Sequence, residues 1–204
     1  EQRVDYFSYL LYNSYHIIKQ RVTIMKKSFT LVLPAIGAAL ITVLAQITIP
    51  IGPVPFALQN MAIGLVATIF HRKEALLAVT LYLLLGAIGL PVFAGGSGGL
   101  QALVGPNAGY LWFYLFYALV TASLTSKNSS FLTIFLANLL GDALVFVGGV
   151  LGLMLLARFS LDKAITVGII PFILPDLIKL IVISLVTIPI FKNLKNHPYF
   201  KLIK

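Results

Sequence analysis

Six apolar runs, each close in length to a membrane-spanning helix, constrain this chain more than any other feature. They cover about residues 31–50, 56–70, 75–93, 108–125, 131–157 and 166–191. A helix needs about 20 predominantly apolar residues to cross the hydrocarbon core of a bilayer. Hydrophobic residues make up 59% of the chain and charged residues only 10%, unlike an ordinary soluble domain. We therefore predict an all-α integral membrane protein with about six transmembrane helices.

The distribution of Lys and Arg predicts how these helices are oriented. When the N-terminus is placed inside the cell, only Arg158 and Lys163 fall on the outer side. Cytoplasmic segments of membrane proteins carry an excess of positive charge, so both termini are predicted to be cytoplasmic. The formal net charge of +9 then reflects topology and contact with anionic lipid, and no nucleic-acid partner is expected. The inner basic residues are Lys26, Lys27, Arg72, Lys73, Lys127, Lys192, Lys195, Lys201 and Lys204.

Residues 1–24 differ from the rest of the chain because they are polar and rich in tyrosine. They precede Met25, which resembles a natural start. Three interpretations stay open: an interfacial helix with aromatic and basic residues, a leader, or a remnant of recombinant expression. The predicted organisation is an N-terminal extension, 1–24, followed by a six-helix membrane domain, 25–204.

Two long loops on the predicted outer side carry no charge. One is ITIPIGPVPFALQ at 47–59, and the other lies within VFAGGSGGLQALVGPNAGYLW at 92–112. Non-helical backbone survives at membrane depth only when it is buried in protein or lines a cavity. Because glycine lets a backbone approach a ligand closely, the second loop is predicted to be a flexible lid over a pocket; a purely structural re-entrant turn is the alternative. The lid glycines are Gly95, Gly96, Gly98 and Gly99.

Three ionisable residues fall inside predicted spans: Asp142, Asp176 and Lys179. Such residues are costly in a membrane and indicate a functional site by default. Asp176 and Lys179 share one helical face, and Pro175 favours a helix start at which the macrodipole stabilises the aspartate. We interpret this pair as a binding site facing the glycine-rich loop, with a structural ion pair as the alternative. Asp142, one turn from Asn138, is predicted to be a helix-packing contact more than a ligand group.

The polar and aromatic residues near this end predict what the pocket binds. One carboxylate, one ammonium, side-chain amides and aromatic rings suit a mostly apolar ligand with a compact polar head that offers both donors and acceptors. The predicted substrate-binding residues are Asp176, Lys179, Asn107, Gln59, Tyr110 and Phe93.

Enzymatic activity is not expected. The sequence GGSG at 95–98 matches an intramembrane serine protease pattern. Ser97 would need a base within hydrogen-bond reach, but His16, His71 and His197 all lie on the predicted cytoplasmic side. The chain has no cysteine and no phosphate-binding loop motif. No catalytic residue, metal site or cofactor is predicted. If ATP drives transport, we expect the ATPase to be another subunit.

Four motifs resemble one family. AQITIPIGPVPFALQ, LYLLLGAIGLPVFAGGSGGL, GPNAGYL and PDLIK are similar, in order and spacing, to the BioY biotin-transporter family, and the resemblance spans about residues 30–190. Members of that family are substrate-binding S components of energy-coupling-factor (ECF) transporters. The chain departs from the family at Asn107-Ala108-Gly109, where Thr-Gly-Gly is common, and at Ala57, where Thr is common.

The resemblance implies a six-helix protein in the plasma membrane of a prokaryote that captures biotin from outside. It implies association with a transmembrane coupling (T) subunit and with cytoplasmic ATPase subunits that use ATP. Asp176 and Lys179 match the family's paired residues for biotin binding. Ala35 and Ala39 match its small residues for contact with the coupling subunit, and such spacing lets helices approach closely.

Two other transport functions stay open from the residues. One is a self-sufficient, proton-coupled secondary transporter of a small vitamin-like solute, in which Asp142 and Asp176 relay protons. The other is an S component for a different vitamin.

Overall fold

The computed structural model of the protein describes residues 2–50, 52–194, 196, 197 and 199. Eight α-helices occur in these residues, together with two short strands, and two 3-10 turns lie at Ala94–Gly96 and Ile170–Phe172. The helices are α1 (Gln2–Ala45), α2 (Gln59–Ile69), α3 (Arg72–Ala87), α4 (Leu100–Val104), α5 (Ala108–Leu124), α6 (Phe131–Leu155), α7 (Leu161–Gly168) and α8 (Ile173–Leu194). The strands are β1 (Thr48–Ile49) and β2 (Phe56–Ala57).

The chain forms two compact units, Glu1–Val32 and Leu33–Lys204, and α1 has residues in both. In the first unit, the side chains that the structure describes are exposed and include three tyrosines, Tyr9, Tyr12 and Tyr15. The Tyr12 and His16 rings contact each other at a tilt of 51°, with ring centroids 4.3 Å apart. The interpretation of residues 1–24 therefore stays a prediction.

The second unit is a helical bundle whose outer surface is apolar. Two segments of its described part are long and apolar enough to cross a membrane, Phe131–Leu155 and Leu161–Leu194, and shorter apolar helices lie at Leu31–Ala45, Gln59–Ile69 and Ala108–Leu124. Leucines such as Leu84 and Leu185 are more than half exposed. Because many large apolar side chains are exposed on these helices, this surface suits lipid and not water.

Glycines bring α5 and α6 into close contact. A Cβ atom added to Gly109 would overlap the carbonyl oxygen of Gly148, and one added to Gly152 would lie 2.9 Å from the Gly109 nitrogen. Small residues spaced four apart allow such close helix packing in membranes. The α5–α6 pair therefore forms a tightly packed wall of the bundle.

The ends of the helices follow local sequence signals. Ser130 caps α6, its Oγ accepting from the Thr133 amide at 3.3 Å, and Ser160 caps α7 in the same way at 3.4 Å. Serine is favoured at this position because its hydroxyl satisfies an amide that the helix leaves unbonded. Asp176 lies in the first turn of α8, as the Pro175 argument predicted.

The structure corrects one predicted span and one predicted loop. The span predicted at 166–191 consists of α7, a 3-10 turn and α8, because Pro171 interrupts the hydrogen-bonding of a continuous helix. The 47–59 loop forms the antiparallel β1–β2 hairpin, in which Thr48 pairs with Ala57.

The predicted flexible lid contains the short helix α4. It is held where the Trp112 indole Nε1 donates to the Leu103 carbonyl at 3.0 Å. The part of this loop that follows the glycines therefore has defined local structure.

Candidate ligand-binding site

A cavity of about 560 Å³ lies toward one end of the second unit. Its lining comes from the hairpin, from the segment between α3 and α5, and from α2, α5, α6 and α8. The volume is within the range of roughly 300–1,000 Å³ that small-molecule sites occupy. All six predicted substrate-binding residues line it: Asp176, Lys179, Asn107, Gln59, Tyr110 and Phe93.

Lys179 is the centre of the polar part of the cavity. Its Nζ donates to Asp176 Oδ1 at 2.7 Å, to the Ala57 carbonyl at 2.8 Å and to Asn60 Oδ1 at 2.8 Å. The same Nζ lies 4.1 Å from the centre of the Phe56 ring, a cation–π contact. An ammonium has three N–H donors, so the protein uses all of them. The contacts join α8 to the hairpin and to α2.

A second carboxylate faces the same cavity. Asn60 Nδ2 donates to Asp142 Oδ1 at 3.2 Å, so Asp142, Asn60, Lys179 and Asp176 form one hydrogen-bonded chain. Both aspartates are at least 96% buried, with exposed fractions of 3% and 4%. The sequence prediction treated Asp142 mainly as a packing contact; in the structure it bridges α6 to α2 and also lines the cavity.

The amides of the cavity have unused hydrogen-bonding groups. Gln59 is 2% exposed, and its Nε2 has no hydrogen-bond partner among the described residues. Asn107 Nδ2 donates to the Pro53 carbonyl at 3.2 Å, whereas its Oδ1 has no partner in the described chain. Buried polar groups are nearly always hydrogen-bonded in folded proteins. Two orphaned atoms on residues of one cavity are therefore consistent with a ligand that bonds to them.

The remaining wall is aromatic and aliphatic. Phe93 is buried and packs edge-on against Tyr82, with ring centroids 5.4 Å apart. The Tyr110 hydroxyl donates to the Gly168 carbonyl at 2.9 Å, which fixes its ring against α7. Leu111, Tyr114, Val145, Phe146 and Phe172 complete this wall. Such a surface buries the apolar part of a ligand.

The glycine-rich segment lies at the mouth of the cavity. Among its four glycines only Gly98 lines the cavity. Gly95 and Gly96 have φ angles of 67° and 75°, a left-handed conformation that favours glycine. They form a tight turn in which Phe93 pairs with Ser97. The Gly95 amide donates to Thr48 Oγ1 at 3.1 Å, so the turn is fastened to the hairpin.

Three other residues from the sequence analysis lie away from the polar cluster. The Ser97 hydroxyl donates to the Ala94 carbonyl at 3.0 Å, a contact that does not activate a nucleophile. Ala35 and Ala39 are exposed on α1. They are four residues apart and therefore lie on the same side of that helix.

Sequence reasoning missed Asn60 and Tyr114, which both line the cavity. Asn60 follows Gln59 at the very start of an apolar run, and a pair of amides at that position was the available signal. Tyr114 carries no such signal, since α5 is rich in aromatic residues throughout.

The apolar bundle and its cavity define a helical membrane protein that can hold a small ligand, apolar over most of its length and polar at one end. The chain belongs to the BioY family, whose family model matches residues 18–196. The predicted family is thereby confirmed.

Named relatives and one solved structure resemble most of the chain. "Biotin transporter BioY2" from Lactococcus lactis subsp. cremoris (strain MG1363) is 38% identical over 85% of this chain and 97% of its own length. "Biotin transporter BioY" from Thermotoga maritima is 43% identical over 79% of this chain and 95% of its own length. A crystal structure of the S-component for biotin from an ECF-type ABC transporter matches with a TM-score of 0.75 and 31% identity. The match covers 87% of this chain and 96% of that structure's chain. These relatives are named as transporters and not as enzymes, in agreement with the prediction.

Proposed function

We propose that this protein is the high-affinity biotin-binding membrane subunit, or S component, of an ECF-type ATP-driven importer. It captures biotin from outside and delivers it together with a coupling subunit and ATPases. The names of its relatives and the solved biotin S-component support this proposal. The protein itself performs no chemistry and needs no cofactor, because ATP is used by the partner subunits.

The observation that carries the proposal is the hydrogen-bonded chain Asp142–Asn60–Lys179–Asp176 beside an apolar wall. Biotin has a ureido ring with two N–H donors and one carbonyl, joined to a thiophane ring and an aliphatic tail. The ureido N–H groups match the carboxylate oxygens of Asp176, and a hydrogen bond to a charged group contributes about 1.5–3 kcal/mol. The apolar remainder gains about 0.8 kcal/mol per buried CH₂.

The other cavity residues have supporting roles in this proposal. Lys179 orients the Asp176 carboxylate, Gln59 offers a donor to the ureido carbonyl, and Tyr110 and Phe93 contact the rings. Asn107 and the turn with Gly95, Gly96, Gly98 and Gly99 act as the lid, whose closure excludes water.

The direct test is ligand binding by the purified protein. We expect biotin to co-purify with it in detectable amounts by mass spectrometry, and a biotin-depleted sample to bind biotin with a submicromolar Kd in isothermal titration. If the protein binds another vitamin and does not bind biotin, then that vitamin is the ligand, and the fold assignment is unaffected.

We propose further that the protein lies in the plasma membrane of a prokaryote with six spans and both termini in the cytoplasm. The spans would contain the C-terminal part of α1 and the helices α2, α3, α5, α6 and α8. Residues 25–204 would form the membrane domain and residues 1–24 an extension. Cysteines introduced at Lys127 and Lys163 should react with a membrane-impermeant maleimide from opposite sides of the membrane; labelling from one side only contradicts this topology.

Ala35 and Ala39 supply the proposed contact with the coupling subunit. Both are exposed on one face of α1, where small side chains permit close helix approach. Ala35→Trp should leave biotin binding unchanged and abolish co-purification with the coupling subunit. Ile36→Trp, at an exposed neighbouring position, is the matched control and should still assemble. Normal assembly of Ala35→Trp would reject this surface.

One observation favours a second candidate, proton-coupled uptake by this chain alone. Asp142 and Asp176 are linked through Asn60 and Lys179, an arrangement along which a proton could pass. Liposomes containing only this chain distinguish the two functions. Biotin accumulation driven by a pH gradient without ATP would establish the second one, and its absence leaves the S-component function.

A further inference from the structure

The charged groups of the cavity set a limit on how a ligand carboxylate can be bound. The cavity lining contains two acids, Asp142 and Asp176, and one base, Lys179. The nearest acceptor of Lys179 is Asp176, at 2.7 Å. The charge of Lys179 is therefore already balanced by a carboxylate, and the cluster offers no net positive charge to an approaching anion.

The single ammonium also has no donor left for such an anion. Its three N–H groups are directed to Asp176, to Asn60 and to the Ala57 carbonyl. A carboxylate on the ligand could bind Lys179 only if one of these contacts were broken. Breaking the contact with Asp176 would leave a buried carboxylate without its partner, which is strongly unfavourable.

The mouth of the cavity is polar and uncharged. Its exposed lining residues include Ser97, Gln101 and Pro106, and Asn107 lies beside them partly exposed. Hydroxyl and amide side chains offer both donors and acceptors. They can therefore hydrogen-bond to a carboxylate or to a neutral amide with similar ease, and they do not select for charge.

From these observations we infer that the protein recognises the ureido end of biotin and does not recognise the charge of its tail. This inference rests on the proposed function. The N–H end lies against Asp176, and the tail carboxylate lies at the neutral mouth. The ligand class is thus wider than biotin and includes tail-amidated ureido compounds such as biotinamide and biotinyl-lysine.

The test compares three ligands on the same purified, biotin-depleted protein: biotin, biotinamide and an N-methylated biotin that lacks one ureido N–H. Biotinamide should bind with a Kd within tenfold of that of biotin, and the N-methylated compound should bind more than tenfold more weakly. Binding of biotin together with a loss of more than tenfold for biotinamide overturns the inference and leaves the proposed function intact. If the protein does not bind biotin at all, both this inference and the proposed function are wrong.

A variant at the mouth checks the same inference by adding charge recognition. Gln101 is exposed and lines the cavity, so Gln101→Lys places a cation where the tail is inferred to lie. The preference for biotin over biotinamide should then rise at least threefold at low salt, whereas the neutral control Gln101→Met should keep the wild-type ratio. An unchanged ratio in Gln101→Lys contradicts the inferred position of the tail.

Discussion

Two buried polar clusters lie one helical turn apart on α6, and they differ in how completely their hydrogen bonds are satisfied. The closed network surrounds Asn138 and includes Thr68, Tyr117, Thr121 and Thr125. The binding cluster surrounds Lys179 and includes Asp142, Asp176, Asn60 and Gln59. Both contain amides from apolar helices, so composition alone does not separate them.

In the closed network each polar side chain has partners within the protein. Asn138 Nδ2 donates to Thr68 Oγ1 and to the Ile134 carbonyl, both at 2.9 Å, and its Oδ1 accepts from the Tyr117 hydroxyl at 3.0 Å. In the binding cluster the Gln59 amide has a donor without a partner among the described residues. Asp176 pairs with the Lys179 ammonium, whereas Asp142 accepts from Asn60. The difference supports the proposed roles, in which the closed network holds helices together and the binding cluster keeps polar groups for a ligand.

The largest expected effect is on ligand affinity in Asp176→Asn. The substitution removes the charge that accepts ureido N–H groups, so biotin should bind roughly 10- to 150-fold more weakly, equivalent to about 1.5–3 kcal/mol. Isothermal titration measures this loss. The control is Asp162→Asn, on an exposed residue of α7, which should bind like the wild type. Equal biotin affinities for the wild type and Asp176→Asn would contradict the assignment of the binding cluster.

The next effect is on stability and tests the closed network. Asn138→Ala leaves the Tyr117 hydroxyl without its acceptor and should lower the free energy of unfolding by about 1–3 kcal/mol. Biotin affinity should stay within a few-fold of wild type. Unfolding in detergent and titration supply the two measurements, with Asn128→Ala in an exposed loop as the control. A loss of affinity without loss of stability would reverse the roles of the two clusters.

A smaller effect should distinguish hydrogen bonding from charge at Asp142. Asp142→Leu leaves Asn60 Nδ2 unbonded, so the Asn60 amide is no longer held in the orientation that faces Lys179. We expect a roughly tenfold loss of affinity, equivalent to about 1–1.5 kcal/mol. Asp142→Asn keeps an acceptor oxygen and should bind nearly as well as wild type. If both variants bind equally poorly, the charge of Asp142 is what matters.

The smallest effect is expected in Gln59→Met, which removes an orphaned donor with little change in size. Replacing an unsatisfied buried polar group is close to neutral for folding, and the loss of one neutral hydrogen bond to ligand costs about 0.5–1.5 kcal/mol. The free energy of unfolding should therefore not fall, while affinity drops a few-fold. A clear destabilisation would mean that Gln59 belongs with the closed network.

Much of this molecule could be predicted from its sequence. Long apolar runs have few folded solutions in a membrane, so the main helices were predictable from hydrophobicity alone. Asp176 and Lys179 stood out because ionisable residues are rare inside such runs. Their spacing placed them on one face, and the structure has their side chains 2.7 Å apart.

Other features depend on contacts between distant segments, which local pattern does not encode. The β1–β2 hairpin and α4 lie in segments whose Gly and Pro residues predicted only loops. Asn60 and Asp142 are 82 residues apart in the chain, and nothing in either local sequence indicates the other. Asp142 was interpreted from its neighbour Asn138, yet one helical turn is enough to move a side chain from the closed network to the cavity.

The contacts of Lys179 with Ala57 and Asn60 bridge 122 and 119 residues, which has a consequence for biogenesis. A ribosome makes α8 after α1 to α7, so the hairpin and α2 are synthesised long before their ammonium partner exists. Contacts between such distant residues are slow to form because the intervening chain must first be ordered. Nascent chains arrested before α8 should be unable to bind biotin, and binding should begin only once α8 has been inserted.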